Sequence, residues 1–411
     1  MSAEAVGIES VGFYVPCYFV DMRRLAAARG VDPAKYLQGL GQHRMCVAPP
    51  DEDVVTMAAS AAHLALQDVD ISKIDSVFFA TESGIDQSKA AAIYVHRLLG
   101  LPPACKTVEF KQACASSTVA FLTAQALVAS GMDRKALVVA ADVARYELGS
   151  PAEPTQGAGA VAMVVSRQPR LMRLENGYGA HTEDVMDFWR PNYRREALVD
   201  GKYSIKVYIR SLCAAWKRYH AVTGRAFADH QRFCYHLPFT RMAEKAHAHL
   251  VLTATGKHAS RGVMARDIDA GLIYNREIGN TYTASLYIAL CSLLENEELP
   301  AGSRIGLFAY GSGCLGIFFS TVLTAGYRRR LHREEHRRQL RERIEISVEE
   351  YERMYHSRLP EDGSRFVVPV HRTGPFRLAA VENHQRIYEG IRPRVSADER
   401  SQSAMAAQTT C

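Results

Sequence analysis

Three side chains of this 411-residue chain combine the groups that covalent acyl chemistry needs: Cys114, Glu82 and His236. A thiol supplies a nucleophile, a carboxylate a base, and an imidazole a proton donor or acceptor. The surroundings of Cys114 say the most. Val108 and Phe110 alternate with Glu109 and Lys111, the period-2 mark of a strand, and the run from Val119 to Ser130-Gly131 reads as a helix with a glycine stop. At such a junction the helix N-terminus is expected to stabilise a thiolate and lower the cysteine pKa. Each residue also has a bland reading: Cys114 as a small apolar group in a core turn, Glu82 as the cap of a helix starting near Ser88, His236 as a satisfied core histidine. Spacing along the chain does not say whether the three meet. Alone, they point to an α/β enzyme and leave a cysteine nucleophile open.

The elements that must position these groups alternate. Strands are expected at 6–15, 74–80, 106–112, 136–141 and 157–165, with helices at 21–30, 56–68 and 88–99 between them. The second half resumes with helices at 203–220, 241–252 and 282–294 and strands at 232–237, 305–310 and 315–323. Such alternation implies α/β layers with both sheet faces covered. Glu82, Cys114 and His236 all fall at the ends of expected strands, where such folds carry function. No internal repeat is visible in the sequence.

Composition bounds the function. Hydrophobic residues at 47% and charged residues at 23% are ordinary for a globular protein. A net charge of +6 over this length weakly favours anionic ligands and argues against nucleic-acid binding. Nine scattered cysteines with no CxxC pair argue against a disulfide framework and a zinc cluster, so no metal is expected and the compartment is read as the cytoplasm. No secretory leader or membrane-length apolar run is apparent, so no membrane partner is expected. Residues 327–343 hold eight arginines with interspersed glutamates, the pattern of a solvated helix face laced with ion pairs. Residues 396–411 read as a disordered tail.

Longer segments add specificity. They are Ala80-Thr81-Glu82-Ser83-Gly84-Ile85-Asp86, Lys111-Gln112-Ala113-Cys114, Glu153-Pro154-Thr155-Gln156-Gly157, Asp187-Phe188-Trp189-Arg190-Pro191, His236-Leu237-Pro238-Phe239-Thr240, Gly279-Asn280-Thr281-Tyr282-Thr283 and Tyr310-Gly311-Ser312-Gly313. In order, from about residue 6 to 326 and more loosely to about 390, the chain resembles the 3-hydroxy-3-methylglutaryl-coenzyme A (HMG-CoA) synthases of the bacterial mevalonate-pathway type, in the thiolase superfamily. The resemblance sets the bland readings aside. It implies a thiolase-like αβαβα fold of five layers and two similar halves, 1–168 and 169–395, usually as a homodimer. It implies acyl-coenzyme A substrates and no cofactor. Cys114 would take an acetyl group from acetyl-coenzyme A, Glu82 would deprotonate the acetyl methyl, and His236 would hold acetoacetyl-coenzyme A and assist its carbonyl oxygen. By motif position, Asp32, Thr155, Ser204, Arg241, Lys245, Asn280 and Ser312 would contact the acyl-coenzyme A, and Asp187 would orient the site. Gly311 and Gly313 would let backbone approach the acyl chain.

The chain departs from the pattern in three places. Ala115 replaces the usual tyrosine after the nucleophile, which suggests a roomier acyl pocket; Ile317 stands where glutamate is frequent, and Arg241 where lysine is common. The first departure keeps a rival in play: a polyketide β-branching HMG synthase acting on acyl carrier protein. A non-catalytic paralogue that only binds an acyl carrier, and a decarboxylating ketosynthase-like enzyme, are remoter alternatives.

Overall fold

A computed structural model describes residues 5–371 and 374–390; the proposed tail at 396–411 lies outside them. Its frame is a ten-stranded mixed sheet. Nine strands run in the order Arg232–Tyr235, Arg304–Gly311, Leu315–Leu323, Met172–Leu174, Gly7–Tyr14, Ala158–Ser166, Lys135–Val143, Ile74–Ala80 and Lys106–Phe110, and Gly179–Thr182 pairs alongside Leu315–Leu323. The outer strands of each half are parallel, Ile74–Ala80 with Lys106–Phe110 and Arg232–Tyr235 with Arg304–Gly311. Nearer the middle the pairing turns antiparallel. The two halves share one hydrogen-bonded sheet because Met172–Leu174 pairs with both Gly7-Ile8 and Thr321 to Leu323.

Helices cover the strands on the outside and fill the space between the halves, giving the expected αβαβα order. Val54–Ala65 starts in a capping box between Asp53 and Thr56 and packs its alanines on the first half. Gly201–Thr223, capped by Asp200, covers the second half. The central pair is Ser116–Ser130 and Ser285–Asn296. They meet where Thr118 Oγ1 lies 2.9 Å from Tyr287 Oη and where Phe121 meets the Tyr287 ring at 6.2 Å. Ser285–Asn296 is buried almost all round, which explains why its sequence is nearly unbroken apolar. Contrary to the expectation, Ala113–Ser130 has the length and apolarity to cross a membrane; half of it is buried inside the protein. A helix packed between two sheet halves needs the same composition.

Expected and observed bounds agree within a few residues, except that Ser88 to Ala90 stay outside the Ala91–Leu98 helix. The sequence reading omits the helix Arg261–Ile278 and the C-terminal strands Phe376–Glu382 and Gln385–Gly390. The arginine-rich segment is only partly a solvated face. Arg338 pairs with Glu335 and Glu342 on the outside of the Arg333–Arg341 helix, but His336 is fully buried, 2.7 Å from Glu295. Beyond it the chain returns to the first half: Ile344-Glu345 pairs with Tyr18-Phe19, and Tyr388 Oη donates to Asp53 Oδ2 at 2.5 Å.

Candidate active site

The nucleophile turn is built from local backbone geometry. Ala113 takes a left-handed φ of 43°, an uncommon conformation for a residue with a side chain. The N–H groups of Ala115 and Ser116 close back on the carbonyls of Gln112 and Ala113, and Ser116 Oγ donates to Ala113 O at 2.7 Å. Gly311 makes this turn possible. A Cβ there would stand 2.3 Å from Gln112 O and 2.9 Å from Ala115 Cβ. The glycine therefore makes room for the nucleophile turn, where an approach to the acyl chain was expected. Ala115 itself is fully buried, with its methyl beside Gly311. Ile317 is likewise buried in the sheet core.

Cys114 Sγ donates to Glu82 Oε1 at 2.6 Å. Burial, with the Asp142 carboxylate as second cause, pushes the Glu82 carboxyl up to about 8. Burial and the Glu82 charge push the Cys114 thiol well above its usual value. This corrects the expectation of a helix-stabilised thiolate. The helix begins at Ser116, two residues past the thiol, and desolvation beside a carboxylate outweighs its dipole. Nor does Glu82 cap the next helix: the first N–H of Ala91–Leu98 goes to Glu109 Oε2 at 2.8 Å.

Asp142, absent from the sequence reading, holds the site together. Its Oδ1 accepts from Thr81 Oγ1, Glu82 N and Ser83 N at 2.8–2.9 Å. Its Oδ2 accepts from Thr283 N at 3.1 Å and Thr283 Oγ1 at 2.5 Å. One buried carboxylate thus pins the Glu82 loop of the first half to the 280–285 turn of the second. Burial raises its own pKa. The only advance signal was its place at the end of the 135–143 strand.

His236 follows the Arg232–Tyr235 strand and is 3% exposed. Its Nδ1 lies 2.7 Å from Ser285 Oγ, two residues beyond Thr283, so the Asp142 link ties its support to Glu82. Burial drives the imidazole down to about 3, leaving it neutral through the physiological range. Ser285 Oγ also accepts from Leu237 N, which leaves its hydrogen free to point at Nδ1. Cys114 packs against an aromatic wall that sequence reasoning missed: Tyr146, Phe188 and Tyr282, with ring centroids 5.8–6.3 Å apart.

The remaining residues divide into two sets. Thr155 and Asn280 adjoin: Asn280 N donates to Thr155 O at 3.1 Å, and Asn280 Oδ1 accepts from Tyr282 N at 2.8 Å. Gly279, at φ 92°, permits that crossing, since a Cβ there would lie 2.0 Å from Gln156 O. Asp187 is fully buried and accepts from Ser204 Oγ, Tyr310 Oη and Gly313 N at 2.7–3.0 Å. The Ser312 carbonyl accepts from Gln112 Nε2 at 3.4 Å. Asp32, Arg241 and Lys245 lie on an exposed rim with no hydrogen bond to the Cys114 cluster among the described residues. Asp32 bonds Ala34 N, Arg241 pairs with Glu244, and Lys245 Nζ lies 5.4 Å from the Phe239 ring centroid.

Comparison with known proteins accounts for this arrangement. Residues 2–169 match the family model described as hydroxymethylglutaryl-coenzyme A synthase N terminal, and residues 173–264 and 255–362 match its C-terminal counterpart. The chain belongs to the hydroxymethylglutaryl-coenzyme A synthase family. It is 45% identical to the Enterococcus faecalis hydroxymethylglutaryl-CoA synthase over 358 residues, which cover 87% of this chain and 93% of that one. It is 32% identical to the polyketide-biosynthesis 3-hydroxy-3-methylglutaryl-ACP synthase PksG of Bacillus subtilis, covering 85% of this chain and 88% of that one. Among solved structures, an HMG-CoA synthase complexed with CoA superposes with a TM-score of 0.89 at 39% identity, covering 94% of this chain and 100% of that one. Family membership makes this chain an acyl-transferring condensing enzyme.

Proposed function

We propose that the protein joins acetyl-coenzyme A, acetoacetyl-coenzyme A and water to give HMG-CoA and coenzyme A. The observation that carries the reading is the 2.6 Å contact between the Cys114 thiol and a Glu82 carboxyl raised to about 8. Cys114 attacks the acetyl thioester, Glu82 as carboxylate takes the thiol proton and passes it to the departing sulfur, and coenzyme A leaves as its thiol, giving an acetyl-S-enzyme. Glu82 as carboxylate then removes a methyl proton; its raised pKa makes it a stronger base than an ordinary carboxylate. The enolate carbon attacks the ketone of acetoacetyl-coenzyme A. Neutral His236, with Ser285 occupying Nδ1, donates from Nε2 to the oxygen on which charge develops. Water releases the product from Cys114. Holding both partners on one enzyme supplies the advantage of positioned reactants.

Thr155, Asn280, Ser204 and Ser312 are assigned to the acyl end of the substrate, Asp32, Arg241 and Lys245 to its outer portion, and Asp187 to orientation. The assignment includes two halves, 1–168 and 169–395, a homodimer in the cytoplasm, and no metal or cofactor. The free coenzyme A substrates are favoured over carrier-bound ones by the higher identity to the Enterococcus faecalis enzyme. The test is a direct assay with both acyl-coenzyme A substrates, following coenzyme A release and intact protein mass. Acetylated enzyme with rapid product formation is expected. Acetylation without turnover would hand the acceptor role to a carrier protein.

A further inference from the structure

A cavity of about 180 Å³ opens at the end of the sheet opposite the catalytic groups, lined by Glu9, Asp68, Arg170, Arg329, Arg330 and His332 among others. Its distance from the reaction follows from one strand. Lys135 Nζ donates to both Glu9 oxygens at 2.7 Å and opens the strand Lys135–Val143, which carries Asp142 near its other end. At the usual strand rise the two residues are about 23 Å apart. Elsewhere half-buried arginines close on carboxylates: Arg29 on Glu153, Arg232 on Glu297, Arg304 on Glu175. The three arginines of the cavity do not. Arg170 Nε stands 3.9 Å from Glu9 Oε1, and Arg330 Nη1 stands 4.0 Å from Asp68 Oδ2, whose side chain is 85% exposed. Arg329 has no carboxylate partner, and none of the three side chains makes a hydrogen bond among the described residues. Since Lys135 already answers Glu9, the lining is left with an excess of positive charge. Burial lowers His332 to about 4, so it stands there as a neutral donor. The backbone beneath is fixed. Thr324 Oγ1 donates to Arg170 O at 2.6 Å, Thr324 N donates to Leu171 O at 3.1 Å, and Tyr327 is buried.

We propose that this cavity is a second binding site, outside the catalytic centre, for a small anion of the phosphate class held by Arg170, Arg329 and Arg330. Guanidinium forks meet phosphoryl oxygens in pairs, and three forks from two chain segments suit an anion with several oxygens better than a single carboxylate. The volume is about six times the share of one water in the liquid, room for one or two phosphoryl groups. The anion is either inorganic or the phosphoryl end of a small organic ester. Bound there, it bridges the Arg170 connection to the Tyr327–Arg330 turn. That turn leads into the Arg333–Arg341 helix, whose His336 is buried against Glu295. Binding to this folded arrangement alone stabilises the protein.

The test is calorimetric titration and thermal unfolding with inorganic phosphate, pyrophosphate and glycerol phosphate, against chloride at equal ionic strength. It compares wild type, the double variant Arg170→Gln/Arg329→Gln, and Lys245→Gln on the coenzyme rim. Wild type and Lys245→Gln should bind saturably and unfold at higher temperature with a phosphoryl ligand than with chloride. The double variant should bind about tenfold or more weakly, the scale of lost charge-assisted hydrogen bonds. Its unfolding temperature without ligand and its acetylation by acetyl-coenzyme A should match wild type, which establishes that it folds. Tighter binding of glycerol phosphate than of the inorganic ions would make the ligand an organic ester, and the reverse order an inorganic anion. Equal stabilisation by chloride, or unchanged affinity in the double variant, would overturn the proposal. So would binding lost in Lys245→Gln, which would place the anion on the coenzyme rim.

Discussion

The two halves of the site are buried to similar effect but wired differently. In the first half, the Cys114 thiol bonds the Glu82 carboxyl and Asp142 bonds the Glu82 backbone, so the proton affinities of Glu82 and Cys114 depend on their neighbours. In the second half, burial alone shifts His236, whose Nδ1 faces a neutral serine. Burial disfavours charge, so carboxyl and thiol rise while the imidazole falls. The difference assigns the labour. In the proposed mechanism the first half moves protons, and the second offers a donor that stays neutral across the working range.

The largest effects should come from separating the first-half pair. Cys114→Ala should abolish acyl capture, read as the loss of the acetyl mass increment. Glu82→Ala should still acetylate yet lose condensation by about 10³-fold or more, the scale of a removed general base. Retained condensation in that variant would remove Glu82 as the base. A stability effect accompanies the catalytic one. Because the folded carboxyl titrates near 8 rather than 4.5, the folded state binds the proton more tightly, and stability falls as pH rises between those values. Glu82→Gln should therefore be more stable than wild type above pH 8, by about 1–2 kcal/mol in chemical denaturation.

Next comes the link between the halves. Asp142→Asn removes a like charge but cannot accept five hydrogen bonds, since one oxygen becomes a donor. Condensation should fall about 10–100-fold, with the Glu82 midpoint moving down. An unchanged rate would show that the 81–83 and 283 segments do not need it. The smallest effect should be Ser285→Ala, which frees the His236 tautomer: a loss of about tenfold or less in kcat, with no new ionisation near pH 6.5.

Much of this was readable from residue pattern. Alternating and apolar runs located the central strands because strands buried on both faces need continuous apolar sequence. The motifs singled out Glu82, Cys114 and His236 as candidates. The omitted Arg261–Ile278 helix mixes Arg266, Asp267, Asp269, Arg276 and Glu277 with Gly271, a pattern whose buried face appears only once its neighbours are in place. Asp142 escaped because nothing local marks a carboxylate that collects donors from residues 81 to 83 and 283. The direction of the Cys114 shift escaped for the same reason: a helix terminus is visible in sequence, while the desolvating contact with Glu82 is a tertiary fact.

The account turns on the separation of a titrating first half from a non-titrating second half. Its most direct test is the pH dependence of single-turnover condensation, starting from preformed acetyl-enzyme and saturating acetoacetyl-coenzyme A, between pH 5 and 10. One ionisation with a midpoint near 8, the rate rising with pH, is the predicted result. A midpoint near 6.5, or a profile already flat at pH 6, would contradict it: the first would give the titration to His236, and the second would make Glu82 an ordinary carboxylate.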